Sequence, residues 1–243
     1  MFTLIHSCDD FVVVSKRAGV SFHGDAAAPS LDDVIRARLG ITELYPLHRL
    51  DNLTSGLLVF ARTRGAVREL AAQFRLRQVE KFYLAVGGAH PRKRQGLVIG
   101  DMKKGRNGIW ILAHTQERPA VTRFISTSLQ PGLRLYLVRL YTGRTHQIRV
   151  ALKSVSAPVI GDRAYCKKLP PGIEPDRGYL HSYALGFSLG GTLFRFIYPP
   201  DEGRYFLSGA FSEALARLGR DPWTLEWPPI QRRARTQGTP GRS

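Results

Sequence analysis

The chain has 243 residues, enough to bury a hydrophobic core without disulfides or metals. Apolar residues make up 43% of it and charged residues 23%, which is typical of folded domains and excludes a chain disordered throughout. Lysine and arginine number 36 against 19 acidic residues, so the net charge of +17 favours a polyanionic partner.

Membrane surfaces and nucleic acids both attract such a charge. No apolar run approaches the roughly 18 residues of a spanning helix, and Asp9 and Asp10 stand where a signal peptide carries basic residues. We therefore expect a cytoplasmic protein that makes no membrane contact. The chain's two cysteines, Cys8 and Cys166, are too few for a disulfide framework and lack zinc-ligand spacing, so we expect both to be reduced.

The first quarter of the chain predicts two strands and a helix. Phe11–Lys16 is a β-branched run that ends at a basic residue and is followed by a turn region with Gly19 and Gly24, which predicts a strand. Ser30 and Asp33 form a capping-box pattern ahead of apolar residues at helical spacing, and a glycine ends that helix. Residues 55–61 are a short aliphatic run that predicts a buried strand, so Asp51 lies just before a strand.

The rest of the chain predicts further strands and short helices. Apolar residues at offsets of three, four and seven predict an amphipathic helix across residues 67–74. Aromatic, β-branched and alternating patterns predict strands at 81–86, 118–126 and 133–141. Thr145 is the expected N-cap of a helix through residues 148–152, and 211–218 predicts another helix. The pattern indicates an α+β fold with a mixed sheet and peripheral helices.

Positive charge is concentrated in one glycine-rich segment. Between positions 92 and 106 one acidic residue stands among six basic residues, Arg92, Lys93, Arg94, Lys103, Lys104 and Arg106. A solvated surface stretch is the ordinary explanation of such a run. The excess of +17 over the whole chain favours a basic loop or hairpin that binds nucleic acid.

Two polar segments carry candidate chemistry. In HRLDNLTSGLL, residues 48–58, a polar cluster runs into the predicted strand, and Asp51 is open to three interpretations: a structural ion pair, an Asx turn, or a nucleophile held ionised. TGRTHQIR, residues 142–149, places two guanidinium groups and several donors around a predicted helix start. That arrangement suits phosphates or a carboxylate.

In this order, and roughly a hundred residues apart, the two segments closely resemble the RluA-type RNA pseudouridine synthases. The family hallmark reads H-R-L-D-x-x-T-S-G-L followed by G-R-T-H-Q-I-R. KFYLA at 81–85 is similar to the family's K-x-Y-x-A element, and PVIGD at 158–162 with Tyr165 to its P-I-x-G-D-x-x-Y segment. The resemblance spans about residues 10–200. It implies one pseudouridine synthase catalytic domain, residues 1–222, whose mixed, largely antiparallel central sheet is flanked by short helices and loops.

The resemblance also implies the reaction and its residues. The family breaks the C1′–N1 bond of a uridine within RNA, turns the uracil and rejoins it through C5, without a cofactor. Asp51 matches the nucleophile, Tyr83 the active-site tyrosine and Arg149 the active-site arginine. Aspartate is ionised at neutral pH, and a guanidinium beside it should keep it so despite burial. Attack at C1′, attack at C6 and a glycal intermediate are all compatible with these residues.

Tyrosine suits its expected position for two reasons. Its ring offers a face on which uracil stacks, and its hydroxyl can assist removal of the C5 proton. Arg49 matches the family arginine that enters the helix where a uridine has been flipped out. We expect Arg144 and His146 to bind RNA or to support the site.

The chain departs from its relatives at two points. Many have a histidine two residues after the T-H-Q-I-R arginine, whereas this chain has Ala151, so the support of that histidine is missing. The sequence also begins almost directly at the first catalytic-domain strand, so we expect no S4 RNA-binding domain. Target recognition then rests on the catalytic domain, on Lys103, Lys104 and Arg106, and on a basic, flexible C-terminal tail over residues 223–243, whose last residues lack an apolar stripe.

Other enzyme classes find no support in the sequence. Ser55 lacks a G-x-S-x-G elbow, the seven histidines show no H-E-x-x-H spacing, and no G-x-x-x-x-G-K-[ST] loop is present. We therefore predict no metal and no cofactor. The remaining alternative is a non-catalytic RNA-binding folding or assembly factor with a synthase-like fold. Because Asp51, Tyr83 and Arg149 are all present, the sequence favours an enzyme. We expect it to be a monomer that acts on ribosomal or transfer RNA without an obligate protein partner.

Overall fold

The computed structural model describes residues 1–24 and 29–227. Over these ranges the chain forms eleven strands in one sheet and four α-helices. The strands are β1 (Phe2–Ser7), β2 (Phe11–Lys16), β3 (Tyr45–Pro46), β4 (Thr54–Ala61), β5 (Glu80–Gly88), β6 (Gly96–Lys104), β7 (Trp110–Ala113), β8 (Ala120–Gln130), β9 (Leu133–Leu140), β10 (Leu180–Leu189) and β11 (Thr192–Ile197). The helices are α1 (Leu31–Leu39), α2 (Arg64–Leu76), α3 (Gln147–Ser154) and α4 (Gly209–Leu218).

The strands lie in the order β1-β2-β4-β10-β5-β9-β8-β6-β7, with β3 paired to β4 and β11 to β10. Within the described residues, β4 and β10 form the one parallel pair, and the other pairs are antiparallel. The predicted α+β fold with a mixed, largely antiparallel sheet is therefore confirmed. The parallel pair brings the start of β4, just after Asp51, beside the start of β10.

Most predicted elements occur where the sequence places them. α1 begins after Ser30, whose side chain accepts a hydrogen bond from the Asp33 N–H, and it ends at Gly40 in the left-handed conformation. β4 is buried on both sides, since Leu58 and Phe60 belong to one hydrophobic cluster and Leu57 and Val59 to another that includes α2. Because both faces of this central strand are covered, its residues are apolar without alternation, as the sequence shows.

The second half of the basic segment lies in a hairpin, whereas Arg92, Lys93 and Arg94 precede its first strand. β6 and β7 pair from Asp101 with Ala113 to Lys104 with Trp110, and a short 3-10 turn, Arg106–Gly108, joins them. Lys103, Lys104 and Arg106 are exposed at its tip. We call β6, β7 and this turn the basic hairpin.

The first residues of the predicted tail pack against the sheet. The Trp223 indole N–H donates to Glu80 at 2.7 Å, and the rings of Trp223 and Trp227 lie 5.3 and 5.8 Å from Phe82. Residues 223–227 are therefore part of the folded body. The rest of the tail, 228–243, lies outside the described residues. Over the described ranges no helix has the length and apolar content needed to cross a membrane.

Candidate active site

The loop before β4 holds Asp51 in a fixed place. The Thr54 N–H donates to the Asp51 carbonyl at 3.0 Å, which closes a tight turn. Upstream, the His48 ring stacks on Phe74 at 4.9 Å, and its Nε2 accepts a hydrogen bond from the Val59 N–H at 3.2 Å. His48 in the HRLD motif is thus a structural residue, and it ties the loop to α2 and to β4.

Lys16, at the end of β2, supports the same loop from beneath. Its fully buried ammonium donates to the carbonyls of Arg17, Val20 and Asn52 at 2.9, 2.8 and 3.3 Å. Burial, with the charge of Arg177, lowers the pKa of Lys16 to about 8, so it stays protonated at neutral pH. The sequence analysis did not predict this role. The one indication in the sequence is that a lysine ends an otherwise apolar strand.

The glycine of the HRLDNLTSGLL motif allows the close approach of β4 and β10. Gly56 has a φ of 103°, and a Cβ there would overlap the Ser182 backbone carbonyl. Only glycine fits this position without moving one of the strands. The motif therefore places its aspartate beside the start of β10.

Arg149, in the first turn of α3, bridges two carboxylates. Its NH1 donates to Asp51 Oδ2 at 2.9 Å, while Nε and NH2 donate to the two oxygens of Asp162 at 2.7 and 2.9 Å. The Arg149 side chain is 7% exposed. Burial opposes its charge, but hydrogen bonds and Coulomb attraction from Asp162 and Asp51 outweigh that effect and raise its pKa. The guanidinium is therefore a fixed positive charge at the Asp51 carboxylate.

Asp162 has no exposed side-chain surface. Besides Arg149, it accepts hydrogen bonds from the Ala164 and Tyr165 N–H groups at 3.0 and 3.3 Å. The turn before it needs glycine, because Gly161 has a φ of 74° and a Cβ there would overlap the Arg177 carbonyl. The resemblance to the family includes this segment, but the sequence did not predict a role for Asp162 in the site.

Gln147 closes the start of α3. Its amide oxygen accepts from the Thr142 hydroxyl at 2.8 Å and from the Arg144 N–H at 2.9 Å, and its amide nitrogen donates to β8. The predicted cap at Thr145 is wrong: the N-cap residue is His146, in the left-handed conformation and without a side-chain cap. The buried amide organises the turn because it makes more hydrogen bonds than a hydroxyl can.

Tyr83 lies on β5 and is 6% exposed. It lines a cavity of about 70 Å³ together with Asp51, Arg149 and apolar side chains of the neighbouring elements. Burial raises the pKa of its hydroxyl to about 12, with a smaller contribution from the charge of Asp51. The hydroxyl therefore carries its proton at neutral pH. We call this space the inner cavity.

A larger open cleft of about 1360 Å³ meets the inner cavity at Asp51, and we call it the outer cleft. Asp51, Arg49, His146 and Arg149 line both spaces, and Arg144 lines the inner cavity. Arg49 NH1 lies 3.0 Å from His23 Nε2 at the cleft wall. His146 Nε2 lies 3.8 Å from Asp51 Oδ2. Lys103, Lys104 and Arg106 are not among the described residues that line either space.

Ser55, the serine considered for a hydrolase, is closed off. Its Oγ lies 2.7 Å from His181 Nδ1 and accepts from Arg177 NH2 at 2.7 Å. Ser55 is 1% exposed and His181 0%. This pair therefore joins β4 to β10 and faces no opening.

Three acidic groups of the site are bound by arginines. Asp51 and Asp162 share Arg149, and Glu202 at the cleft accepts from Arg177 at 2.9 Å. In residues 1–24 and 29–227, no three His, Cys, Asp or Glu side chains gather as a group suited to a metal ion. The arginines of the walls suit an anionic ligand.

Comparison with known proteins identifies the family. A family model described as RNA pseudouridylate synthase matches residues 10–154. An uncharacterized RNA pseudouridine synthase of Haemophilus influenzae is 36% identical over 212 residues, covering 87% of this chain and 93% of its own. The dual-specificity RNA pseudouridine synthase RluA of Pasteurella multocida is 32% identical over 194 residues, covering 76% and 85%.

Solved structures agree on the fold. The human RNA pseudouridylate synthase domain containing 1 superposes with a TM-score of 0.69 at 23% identity, over 82% of this chain and 84% of its own. The architecture and the sequence relatives thus point the same way. The chain belongs to the RNA pseudouridylate synthase family and is an RNA pseudouridine synthase, an isomerase.

Proposed function

We propose that this enzyme converts specific uridines of structured ribosomal or transfer RNA to pseudouridine, with Asp51 as its nucleophile. The supporting observation is the place of the Asp51 carboxylate where the outer cleft meets the inner cavity. Its side chain is 23% exposed and, among the described residues, accepts a hydrogen bond from Arg149 alone. Oxygen lone pairs therefore remain for a reacting nucleoside.

The two spaces suit a uridine that has left its RNA helix. Extruding a nucleotide costs a few kcal/mol and is cheapest in loops and unstable stems. The outer cleft is open to solvent and has Arg49 on its wall, where a guanidinium can occupy the vacated stack. The inner cavity, where Tyr83 and four aliphatic side chains stand beside polar ones, takes the flat uracil ring.

The chemistry divides among three side chains. Asp51 supplies the anionic oxygen, and Arg149 keeps it ionised and oriented through a charge-assisted hydrogen bond of 2.9 Å. Tyr83 contacts the uracil ring. Because the pKa of its hydroxyl is about 12, Tyr83 acts as a neutral phenol: it assists by hydrogen bonding while the C5 proton passes to water in the open outer cleft.

The experiment maps pseudouridine on cellular RNA. RNA from a strain that lacks the enzyme is incubated with purified protein, and carbodiimide-dependent primer-extension stops are read across ribosomal and transfer RNA. We expect new stops with the wild type and with Asp9→Ala, which removes an exposed aspartate from the β1–β2 turn. Asp51→Ala should bind RNA and produce none.

Each outcome decides something. Stops with Asp51→Ala would refute the nucleophile. RNA binding without stops from the wild type would favour the assembly-factor alternative. The class of RNA that carries the stops identifies the substrate.

A further inference from the structure

Tyr165 lies between the basic hairpin and His146. Its hydroxyl oxygen accepts a hydrogen bond from the Trp110 backbone N–H, in β7, at 2.6 Å. The same oxygen lies 2.9 Å from His146 Nδ1. On the other side of the imidazole, Nε2 faces Asp51 Oδ2 at 3.8 Å. A path of two hydrogen bonds and one electrostatic contact, which is too long for a hydrogen bond, therefore joins the hairpin to the carboxylate.

The surrounding charges determine where the His146 proton lies. Burial, with the charge of Arg149, lowers the pKa of His146, while Asp51 and Asp162 act in the opposite direction and Arg49 adds a small lowering. A neutral imidazole carries its proton on one nitrogen. A carboxylate attracts an N–H and repels a lone pair, so the proton is on Nε2, facing Asp51. Nδ1 is then an acceptor for the Tyr165 O–H.

His146 keeps its place at a cost to the backbone. Its φ of 58° lies in the left-handed region, which residues other than glycine rarely adopt. The ring packs edge-to-face against Tyr165, with centroids 5.6 Å apart. Tyr165 in turn lies over the Arg149 guanidinium at 4.9 Å. The imidazole is therefore held in one orientation by Tyr165, whose ring also packs against the arginine of the site.

We propose that His146 is a positioning residue for Asp51, which its Nε2–H orients alongside Arg149, and that Tyr165 sets the His146 tautomer and connects it to the basic hairpin. This inference rests on the proposed role of Asp51. The nearest alternative, a histidine kept only for the left-handed turn, makes the opposite prediction for two substitutions.

Glutamine and asparagine separate these explanations. Glutamine can present an N–H near the position of Nε2, whereas asparagine reaches only the position of Nδ1. Asparagine, however, tolerates the left-handed backbone better than glutamine. In single turnover at saturating RNA, we expect His146→Gln to stay within about threefold of the wild type and His146→Asn to fall about tenfold, less than the loss of a full transition-state donor. Asparagine as active as glutamine, or more so, would overturn the proposal.

Tyr165→Phe tests the second half of the path. The ring over Arg149 is kept and the hydroxyl is lost, so we expect about a fivefold lower single-turnover rate. In the His146→Gln background the same change should cost nothing further, because a glutamine amide has no tautomer for Tyr165 to set. Independent losses that multiply would refute a role for Tyr165 through His146.

Two controls keep these results separate from other failures. Thermal unfolding of each variant shows whether it folds, and RNA affinity shows whether only the rate has changed. Asp51→Ala is assayed alongside. If Asp51→Ala retains activity, the proposed function fails. The positioning role alone is refuted if the wild type is active, Asp51→Ala is inactive, and His146→Asn is at least as fast as His146→Gln.

Discussion

The two carboxylates that share Arg149 are in opposite situations. Asp162 is fully buried and accepts four hydrogen bonds, two from Arg149 and two from backbone N–H groups. Asp51 is 23% exposed, borders the outer cleft and the inner cavity, and within the described chain accepts one hydrogen bond, from the same guanidinium. One arginine thus donates to a carboxylate that accepts four hydrogen bonds and to another that accepts one.

This difference shows how the fold leaves the carboxylate of the proposed nucleophile accessible while it fixes the arginine beside it. The buried partner accepts hydrogen bonds from Nε and NH2 of the arginine and holds its plane in place, so NH1 can point at Asp51. Because Asp162 is anchored by the turn that starts at Gly161, the arginine does not depend on Asp51 for its orientation. The comparison predicts that the two acids fail in different ways when they are changed.

The largest effects should come from replacing each acid by its amide. Asp51→Asn should abolish pseudouridine formation and leave the unfolding temperature nearly unchanged, since one partly exposed hydrogen bond is altered. Asp162→Asn leaves Arg149 without its buried counter-ion and should cost about 3 kcal/mol of folding free energy. Denaturant unfolding and single-turnover assays measure the two quantities. Equal losses of stability in the two variants would break the comparison.

A smaller effect is expected inside the inner cavity. Tyr83→Phe keeps the ring and loses a hydroxyl whose pKa is about 12, so RNA affinity should hold while turnover falls about 10²-fold, the lower range for a group that assists proton transfer. Tyr183→Phe is the matched control, because this buried tyrosine donates to the Arg220 carbonyl at 2.6 Å and does not line the site. Full activity of Tyr83→Phe would show that the hydroxyl is dispensable.

The smallest effect concerns the basic hairpin, which lies outside both spaces. Replacing Lys103, Lys104 and Arg106 by glutamine should weaken RNA binding for every sequence and lower the salt slope by up to about three units, because each phosphate contact releases counter-ions. The single-turnover rate at saturation should change little.

An equal loss of charge on α2 serves as the control for the hairpin. Glutamine at Arg64, Arg68 and Arg75 removes three exposed charges from that helix. A salt slope that changes as much in this control as in the hairpin variant would remove the hairpin from the RNA interface.

The local sequence pattern predicted an element correctly where residues within that element determine its structure. The capping box before α1, the apolar run of β4 and the amphipathic spacing of α2 predict elements that the structure contains. The helix start at α3 was misplaced, because the Gln147 amide closes the turn through β8, which is remote in sequence. β10, a central strand, was not predicted, since small residues such as Ser182 and Gly186 interrupt its apolar pattern.

By itself, the sequence determined the positive charge, most of the elements, the family resemblance and the three residues proposed for catalysis. Only the tertiary structure decided that Lys16 supports the Asp51 loop, that Asp162 anchors Arg149, and that Tyr165 reaches both His146 and the hairpin. The reason is distance along the chain. Asp51 and Arg149 are 98 residues apart, and hydrophobic periodicity records which face of an element is buried but not which partner lies against it.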